Sequence, residues 1–326
     1  EFIERGMDVI RGIFTGNVQR ERTTSQEAEA GLARIGTTTT WEGFTECDLV
    51  IEAIVEDVAV KQELFQELVE VMRADALLAS NTSALPLEQI ARGVRHPERV
   101  LGLHFFNPVG RMPLVELIVG QETSGVTASR GLDFVKGLKK SPVICRSSPG
   151  FLVTRVLFFY LNEACRLWEE GVSTESMDAV MHKWGWPMGP MRLIDEVGVD
   201  VTDFIFGELA QYFPDRFQRS AIGSLLLEQG LKGRKNGASS GFYVYDGREL
   251  SVNPQVAKLQ AKGSSVIDLA TIQSRLMGVM VNEAQRCLDE GVVQTPEDVD
   301  FALLSGAGFP QERGGLMRWA GQAGCR

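Results

Sequence analysis

Strand-length apolar runs, separated by segments with helical spacing, constrain the fold of this 326-residue chain more than any other feature. The runs occupy residues 48–54, 76–79 and 100–103, and apolar residues recur at helical spacing in residues 60–72 and 85–91 between them. Regular alternation of strands and helices is typical of a parallel sheet covered by helices. The pattern therefore predicts an α/β domain.

Helical patterns dominate before and after this region. Residues 1–35 predict a pair of helices, and mostly helical spacing returns from about Ser148. Two later stretches, separated by a loop-rich region at residues 232–253, share ordered matches about 120 residues apart, which predicts a duplicated helical domain. The matches are Asn162-Glu163-Ala164, Glu170-Gly171-Val172, Asp178 and Gly185-Trp186-Pro187 with Asn282-Glu283-Ala284, Glu290-Gly291-Val292, Asp298 and Gly308-Phe309-Pro310.

Composition argues against several classes of partner. The net charge of -10 disfavours a general surface for nucleic acid or anionic membranes, because attraction to a polyanion needs an excess of Lys and Arg. The five cysteines are scattered and form no C-x-x-C pair, which favours reduced thiols, a cytoplasmic compartment and no metal site. No apolar stretch reaches the roughly 18 residues of a membrane helix, so no integral membrane segment is expected.

Polar side chains follow each of the three predicted strands. Glu56 comes after the first strand, Ser83 closes a polar tetrapeptide after the second, and His104 follows the third. In open α/β sheets, ligands bind beyond the carboxyl ends of the strands. These positions therefore predict a ligand cleft.

His104 and Glu116 are candidates for a catalytic pair. By itself His104 is read equally well as a core histidine, but a neutral imidazole at a strand end can act as a general base. Glu116 lies in the apolar run at residues 114–119, where a carboxylate needs a partner. A turn at residues 107–110 would fold this run back beside His104, and the carboxylate would then fix the imidazole tautomer.

Simpler structural roles stay open for the other candidates. Ser83 can cap the helix that begins near Leu85, Asn107 can belong to a turn, and Glu56 and Lys61 can form a solvated helix face. Their coincidence on adjacent strand ends favours a dinucleotide cleft, and hence a nucleotide-dependent enzyme.

The chain resembles the 3-hydroxyacyl-CoA dehydrogenase family in long, ordered and correctly spaced motifs that cover nearly its whole length. The second helical stretch, residues 241–243 and residues 314–315 resemble the dehydrogenase region of the multifunctional α-subunit of fatty-acid oxidation in particular. The family motifs are residues 79–83 (ASNTS), 104–108 (HFFNP), 114–116 (LVE), 149–151 (PGF) and 187–190 (PMGP).

The resemblance implies an α/β fold, with an incomplete Rossmann-like parallel sheet domain followed by two related all-helical domains. The implied division is residues 1–147 for the NAD-binding domain, 148–247 for the first helical domain, and 248–326 for a linker and the second helical repeat. NAD is the implied cofactor. The implied reaction is the oxidation of L-3-hydroxyacyl-CoA to 3-ketoacyl-CoA in fatty-acid β-oxidation.

The resemblance also implies roles for single residues. His104 would be the general base, oriented by Glu116, and Ser83 would bond the reacting substrate oxygen beside the nicotinamide. The implied lining of the cofactor site is Glu56, Lys61, Ser83 and Asn107.

The chain departs from the family pattern in two places. Thr154 stands where the family has an Asn that contacts substrate, so a weaker contact or an altered substrate preference is expected. The sequence also contains no G-x-G-x-x-G turn. The sheet is therefore expected to lack its first strand and phosphate loop, as in a truncated chain, and the chain by itself to bind NAD poorly.

Other interpretations stay open. The same chemistry can act on a special substrate, 3-hydroxybutyryl-CoA or 3-hydroxyadipyl-CoA, or the chain can be a non-catalytic scaffold that holds a thiolase. The intact set of Ser83, His104 and Glu116 argues against the scaffold. The implied partners are an acyl-CoA thioester substrate and a thiolase subunit, in a homodimer or a hetero-oligomer.

Overall fold

The computed structural model describes residues 1–247, 249–260 and 267–324. The chain divides into two compact units, residues 1–47 with 71–73, and residues 48–70 with 74–326. In the part of the chain described, no helix is long and apolar enough to cross a membrane.

The smaller unit contains the two predicted N-terminal helices, α1 (Phe2–Gln19) and α2 (Ser25–Leu32). A capping box opens α2, in which Thr24 and Glu27 each accept the other's backbone N–H and so satisfy two donors that the helix leaves unpaired. A short 3₁₀ turn at Phe44–Glu46 follows.

The larger unit begins with a five-stranded sheet whose strands are β1 (Leu49–Glu52), β2 (Leu77–Ser80), β3 (Val100–Phe105), β4 (Leu114–Val119) and β5 (Ser141–Arg146). Strands β1 to β3 are parallel neighbours and confirm the strands expected from the apolar runs. Strand β4 runs antiparallel to β3, and β5 runs parallel to β4. The Rossmann-like class is confirmed, with the refinement that the last two strands oppose the first three.

The short link between β3 and β4 explains this reversal. Residues 106–113 are too few for the crossover of a dozen or more residues that a parallel neighbour needs, so the chain turns back. At Gly102 an added Cβ would lie 2.7 Å from the Cβ of Ile118, its partner across the strands. This close approach helps to set the register that places His104 opposite Glu116.

Helices cover the sheet and enclose its core. They are α3 (Val58–Val71), α4 (Leu87–Ile90) and α5 (Gly125–Gly137). The core contains alternate residues of the central strands, packed with Val135 of α5: Leu77, Ala79, Leu101, Leu103, Val115 and Leu117. Alternation is expected because successive side chains of a strand point to opposite faces.

The rest of the chain is mainly helical, as predicted. It contains α6 (Val153–Glu169), α7 (Thr174–Trp184), α8 (Pro190–Val197), α9 (Val199–Tyr212), α10 (Ile222–Glu228), the hairpin β6 (Tyr243–Asp246) and β7 (Glu249–Val252), α11 (Pro254–Leu259), α12 (Leu269–Asp289), α13 (Pro296–Ala302) and α14 (Leu316–Ala323). Helices α6 and α12 pack against each other, and the matched residues Trp186 and Phe309 meet edge to face at 5.5 Å.

The contacts of the two helical repeats correct one detail of the sequence match. Asp178 accepts hydrogen bonds from the first backbone N–H groups of α8, and Asp300 accepts them in the same way from α14. The counterpart of Asp178 is therefore Asp300, whereas Asp298 belongs to the capping box of Thr295. The second repeat has two more residues between its E-G-V motif and its helix cap, which shifts the register.

Candidate active site

A cavity of about 610 Å³ lies beyond the carboxyl ends of β1 and β2. Its polar lining includes Glu56, Lys61, Asn81 and Ser83, so the structure brings together most of the strand-end residues expected from the sequence. Helix α9 supplies apolar lining, including Phe204. Within the described residues, no group of three or more His, Cys, Asp or Glu side chains is placed to hold a metal ion.

His104 and Glu116 form the buried pair that their sequence positions predict. His104 Nδ1 lies 2.7 Å from Glu116 Oε2, and both side chains are almost fully buried. Because a carboxylate can only accept, Nδ1 must donate, which leaves the lone pair of the neutral imidazole on Nε2. The pair therefore fixes the tautomer of His104.

The second oxygen of Glu116 is held by the start of helix α6. Glu116 Oε1 accepts the backbone N–H groups of Leu152 and Val153 at 3.2 and 2.9 Å. These groups have no partner within their own helix, and the positive end of the helix dipole favours a carboxylate there. Burial raises the pKa of the Cys145 thiol, whose Sγ lies 4.0 Å from the same oxygen, and the charge of Glu116 raises it further.

Ser83 faces the free nitrogen of His104. Its Oγ lies 3.1 Å from His104 Nε2, a distance that lets the hydroxyl donate to that nitrogen. The rings of Phe106 and Phe151 pack against the imidazole, with ring centroids 4.5 and 5.8 Å away. Nε2 is therefore a proton acceptor in a largely apolar surrounding, next to a hydroxyl that can also bond a substrate oxygen.

Glu56 and Lys61 belong to an ion-pair cluster rather than to a solvated helix face. Lys61 is buried, with Nζ 2.6 Å from Glu52 Oε1 and 3.1 Å from Glu56 Oε2. Glu56 also accepts the N–H of Ser83 at 3.0 Å and the hydroxyl of Thr82. Glu56 thus links the first two strand ends while keeping about a quarter of its side chain exposed, 27%.

Sequence reasoning missed two acidic residues of this region. Glu52 ends β1 and accepts from Lys61, from the hydroxyl of Ser80 at 2.6 Å and from the N–H of Ile54 at 2.7 Å. Its position in an apolar run carried the same signal that singled out Glu116. Glu208 of α9 lies in a helical stretch rather than in a strand-length apolar run, so its sequence position gave no reason to single it out. Burial raises the pKa of Glu208, and the charge of Glu56 raises it further.

The remaining two predicted residues, Asn107 and Thr154, are not among the residues that line the cavity. Asn107 is exposed just after β3 and lies outside the lining of the cavity. Thr154 is buried in the first turn of α6, directly after the two N–H groups that hold Glu116. Thr154 thus directly follows Val153, whose N–H is bonded to Glu116, whereas Asn107 lies outside the lining of the cavity.

Comparison with known proteins decides which family has this arrangement. Residues 1–148 match the NAD binding domain of 3-hydroxyacyl-CoA dehydrogenase, and residues 150–245 match the C-terminal domain of that enzyme. The chain belongs to the 3-hydroxyacyl-CoA dehydrogenase family. It is therefore an NAD-dependent dehydrogenase, and an acyl-CoA substrate is consistent with this membership.

Solved structures agree with the family match. A 3-hydroxybutyryl-CoA dehydrogenase from Escherichia coli K12 is similar over 98% of this chain and 84% of its own, with 28% identity and a TM-score of 0.82. An (S)-3-hydroxybutyryl-CoA dehydrogenase from Ralstonia eutropha matches 74% of this chain and 86% of its own, with 32% identity and a TM-score of 0.70. The dehydrogenase part of multifunctional enzyme 1 from C. elegans matches 94% of this chain and 71% of its own, with 27% identity and a TM-score of 0.59.

The cavity suits one end of NAD. Ala53, Ile54 and Val55 give it an apolar side, and Ile54 and Val55 are unusually exposed for such residues, at 42% and 65%. An apolar wall with a few convergent polar groups, here Glu56 and Ser83, is typical of small-molecule and cofactor sites. The nicotinamide ring with its carboxamide is compatible with such a lining.

Proposed function

We propose that this chain oxidises L-3-hydroxyacyl-CoA to 3-ketoacyl-CoA in fatty-acid β-oxidation, with His104 and Glu116 as the general-base pair. The observation that carries the proposal is the arrangement of the imidazole, with Nδ1 held by a buried carboxylate and Nε2 turned to Ser83. An alcohol oxidation needs one group that removes the hydroxyl proton, and Nε2 is the acceptor suited to that step.

Ser83, His104 and Glu116 have separate roles in the proposed oxidation. Ser83 donates a hydrogen bond to the C3 oxygen of the substrate and so positions the C3 hydroxyl beside His104. His104 Nε2 then accepts the proton of that hydroxyl. Glu116 then stabilises the imidazolium, because its carboxylate stays bonded to Nδ1. NAD, when bound, supplies the acceptor for the hydride that leaves C3.

Cofactor and substrate contacts are part of the same proposal. Glu56, Ser83 and Lys61, which pairs with Glu56, would line the nicotinamide end of the NAD site. Asn107, which lies outside the lining of the cavity, would contact the cofactor from its exposed position after β3. Thr154 would contact the substrate from the first turn of α6. The functional division would follow residues 1–147, 148–247 and 248–326.

The setting in the cell is proposed from the multifunctional relative. The match to the dehydrogenase part of a multifunctional enzyme supports a multifunctional context for the activity. The proposed setting is cytoplasmic β-oxidation, for which the scattered cysteines support the compartment, with a thiolase subunit as partner and a homodimer or hetero-oligomer as the assembly. Co-purification of the natural protein with a thiolase tests the partner. Its mass in solution tests the assembly.

A short substrate is the second candidate. Two of the similar structures are 3-hydroxybutyryl-CoA dehydrogenases, which supports a preference for the four-carbon acyl group over 3-hydroxyadipyl-CoA or long chains. Values of kcat/KM for acyl-CoAs of four, six, ten and sixteen carbons and for 3-hydroxyadipyl-CoA separate these substrates. A scaffold without activity would turn over none of them.

The variant His104→Gln tests the proposed base. Gln has no group that accepts a proton near neutral pH, so kcat should fall on the order of 10²–10⁴-fold. The KM for NAD should stay within about twofold of the parent value, because the cofactor contacts are unchanged. A kcat within a few-fold of the parent would show that His104 is not the base. The matched control is His96→Gln, which changes an exposed histidine of the same domain.

A further inference from the structure

The orientation of Glu116 depends on where the first turn of helix α6 lies. Within the described part of the chain, its Oε1 accepts from the N–H groups of Leu152 and Val153 and, weakly, from the Cys145 thiol. A shift of that turn by a few tenths of an ångström lengthens both bonds and frees the carboxylate to move. His104 would move with it, because Nδ1 is bonded to the other oxygen. The residue that holds this turn therefore bears on the base.

Arg155, the third residue of α6, is that residue. Its guanidinium is fully buried, with Nε 2.6 Å from Glu283 Oε1 and Nη1 2.7 Å from Glu290 Oε2. Nη1 also donates to the hydroxyl of Ser148 at 3.1 Å, at the start of the turn that enters the helix. One side chain thus ties the entry turn and the first turn of α6 to a single pair of glutamates.

Both glutamates come from the second helical repeat. Glu283 lies within α12, and Glu290 follows its last residue. The same end of α12 reaches the sheet, where the N–H of Arg146 at the end of β5 donates to the carbonyl of Val292 at 2.8 Å. The second repeat therefore contacts the elements on both sides of the entry turn.

A second arginine completes the cluster. Arg216 pairs with Glu283 at 3.2 Å and with Glu290 at 3.0 Å. Both guanidiniums also lie over the ring of Phe213, that of Arg155 4.5 Å and that of Arg216 4.3 Å from its centroid. Two cations and two anions balance the charge. Such a cluster holds one geometry, because each carboxylate is shared by both arginines.

Stability alone does not account for this cluster. A cation in the first turn of a helix opposes the helix dipole, and burying it is unfavourable unless it is paired. A buried ion pair is often no more stable than apolar residues of similar volume, so its value here is better sought in the geometry that it imposes.

We propose that Arg155, clamped by Glu283 and Glu290, is a positioning residue that sets the first turn of α6 and thereby the placement of Glu116 and His104. The second helical repeat thus acts on the catalytic base across the domain that separates them in the sequence. This inference rests on the proposed function, in which His104 and Glu116 are the base pair.

The variant Glu283→Gln tests the inference, since it removes one charge of the clamp and keeps the side-chain shape. We expect kcat to fall about 5- to 50-fold with the KM for NAD within about twofold, because only the transition state needs the base in place. The acid limb of the pH profile should move to lower pH, because the imidazolium loses part of its charge partner. Glu290→Gln, at a half-exposed and therefore tolerant position, should act in the same direction with a smaller effect.

The matched control is Arg275→Met. Arg275 joins the same two helices through Glu163 at 2.6 Å and Glu170 at 2.5 Å, but near the far end of α6. It should lower the unfolding temperature and leave the pH profile unchanged. If Glu283→Gln changes only the unfolding temperature, as this control does, Arg155 is structural and the inference is wrong.

A double-variant cycle with Glu116→Gln separates the inference from the proposed function. If the clamp acts through Glu116, Glu283→Gln has little further effect on kcat once Glu116 is replaced. Independent, multiplying effects of the two changes overturn the inference and leave the base assignment intact. If Glu116→Gln itself leaves kcat unchanged, the proposed function fails first, and the inference fails with it.

Discussion

Replacing Glu116 with Gln exchanges one carboxylate oxygen for an NH₂ group and tests the proton path of the site. In the parent, one oxygen accepts two backbone N–H groups, at 3.2 and 2.9 Å, and the other accepts His104 Nδ1 at 2.7 Å. The amide has a single oxygen, so only one of these sides keeps an acceptor.

The backbone donors decide which side keeps the oxygen. Turning the NH₂ toward α6 would leave the N–H groups of Leu152 and Val153 facing another donor, at about 1–3 kcal/mol for each unsatisfied buried group. Turning it toward His104 requires only that the imidazole move its proton from Nδ1 to Nε2, which restores a donor–acceptor pair. The difference, about 2–6 kcal/mol for two donors, selects the second arrangement.

The consequence is an imidazole in the wrong tautomer. Nε2 would then carry the proton and donate to Ser83, so it could not accept the proton of the substrate. We expect kcat to fall on the order of 10²–10⁴-fold, with the unfolding temperature changed little because the packing volume is conserved. Initial rates of NADH formation with L-3-hydroxybutyryl-CoA, together with thermal unfolding, measure both quantities.

The control is Glu98→Gln, which breaks the exposed pair of Glu98 with His96 at 3.2 Å. It should leave both measurements unchanged. A folded Glu116→Gln variant whose kcat stays within a few-fold of the parent would refute the tautomer argument, and so would a comparable loss in the control.

Two further predictions concern specificity and pH. Thr154→Asn restores the family's amide, so KM or acyl-length preference should change by the equivalent of one hydrogen bond, about 0.5–1.5 kcal/mol. Unchanged kinetics over short, medium and long acyl-CoAs would show that the position is tolerant. Burial raises the pKa of Asp195 to about 6, so its contribution to stability is complete below about pH 4 and is lost as pH rises through about 6. Asp195→Asn has no carboxyl to titrate, so the free energy of unfolding of the variant minus that of the parent should rise by about 2–3 kcal/mol between pH 4 and 7 in urea titrations. A difference between the two proteins that does not change with pH would contradict this prediction.

Much of the fold could be predicted from the spacing of apolar residues, because buried parallel strands and amphipathic helices each have a characteristic apolar pattern in the sequence. The fifth strand could not be found in this way. Strand β5 (Ser141–Arg146) alternates buried and exposed residues over only part of its length and contains Pro142, which disfavours a strand assignment. Its place in the sheet is set by parallel pairing with β4, which is a tertiary contact.

The site divides along the same line. A carboxylate in an apolar run needs a partner, and this local rule sufficed to pair Glu116 with His104 and would have sufficed for Glu52. It did not suffice for Arg155, whose partner Glu283 lies 128 residues away and is one glutamate among many. For Lys61 the local pattern was misleading rather than insufficient. Helical spacing allowed a solvated helix face, whereas the folded chain buries the ammonium group of Lys61 against two carboxylates.

Backbone groups carry part of the catalytic geometry, and they leave a trace in the sequence only through glycine. Gly150 adopts a φ of +70°, and a Cβ there would lie 3.2 Å from the backbone N and Cα of Arg155. The P-G-F turn can therefore close tightly on the first turn of α6, with the N–H of Arg155 bonded to the carbonyl of Gly150 at 2.9 Å. That closure directs the N–H groups of Leu152 and Val153 at Glu116. A motif that sequence reasoning used only for recognition is thus the part of the chain that delivers two donors to the carboxylate beside the base, which explains why a glycine is required there.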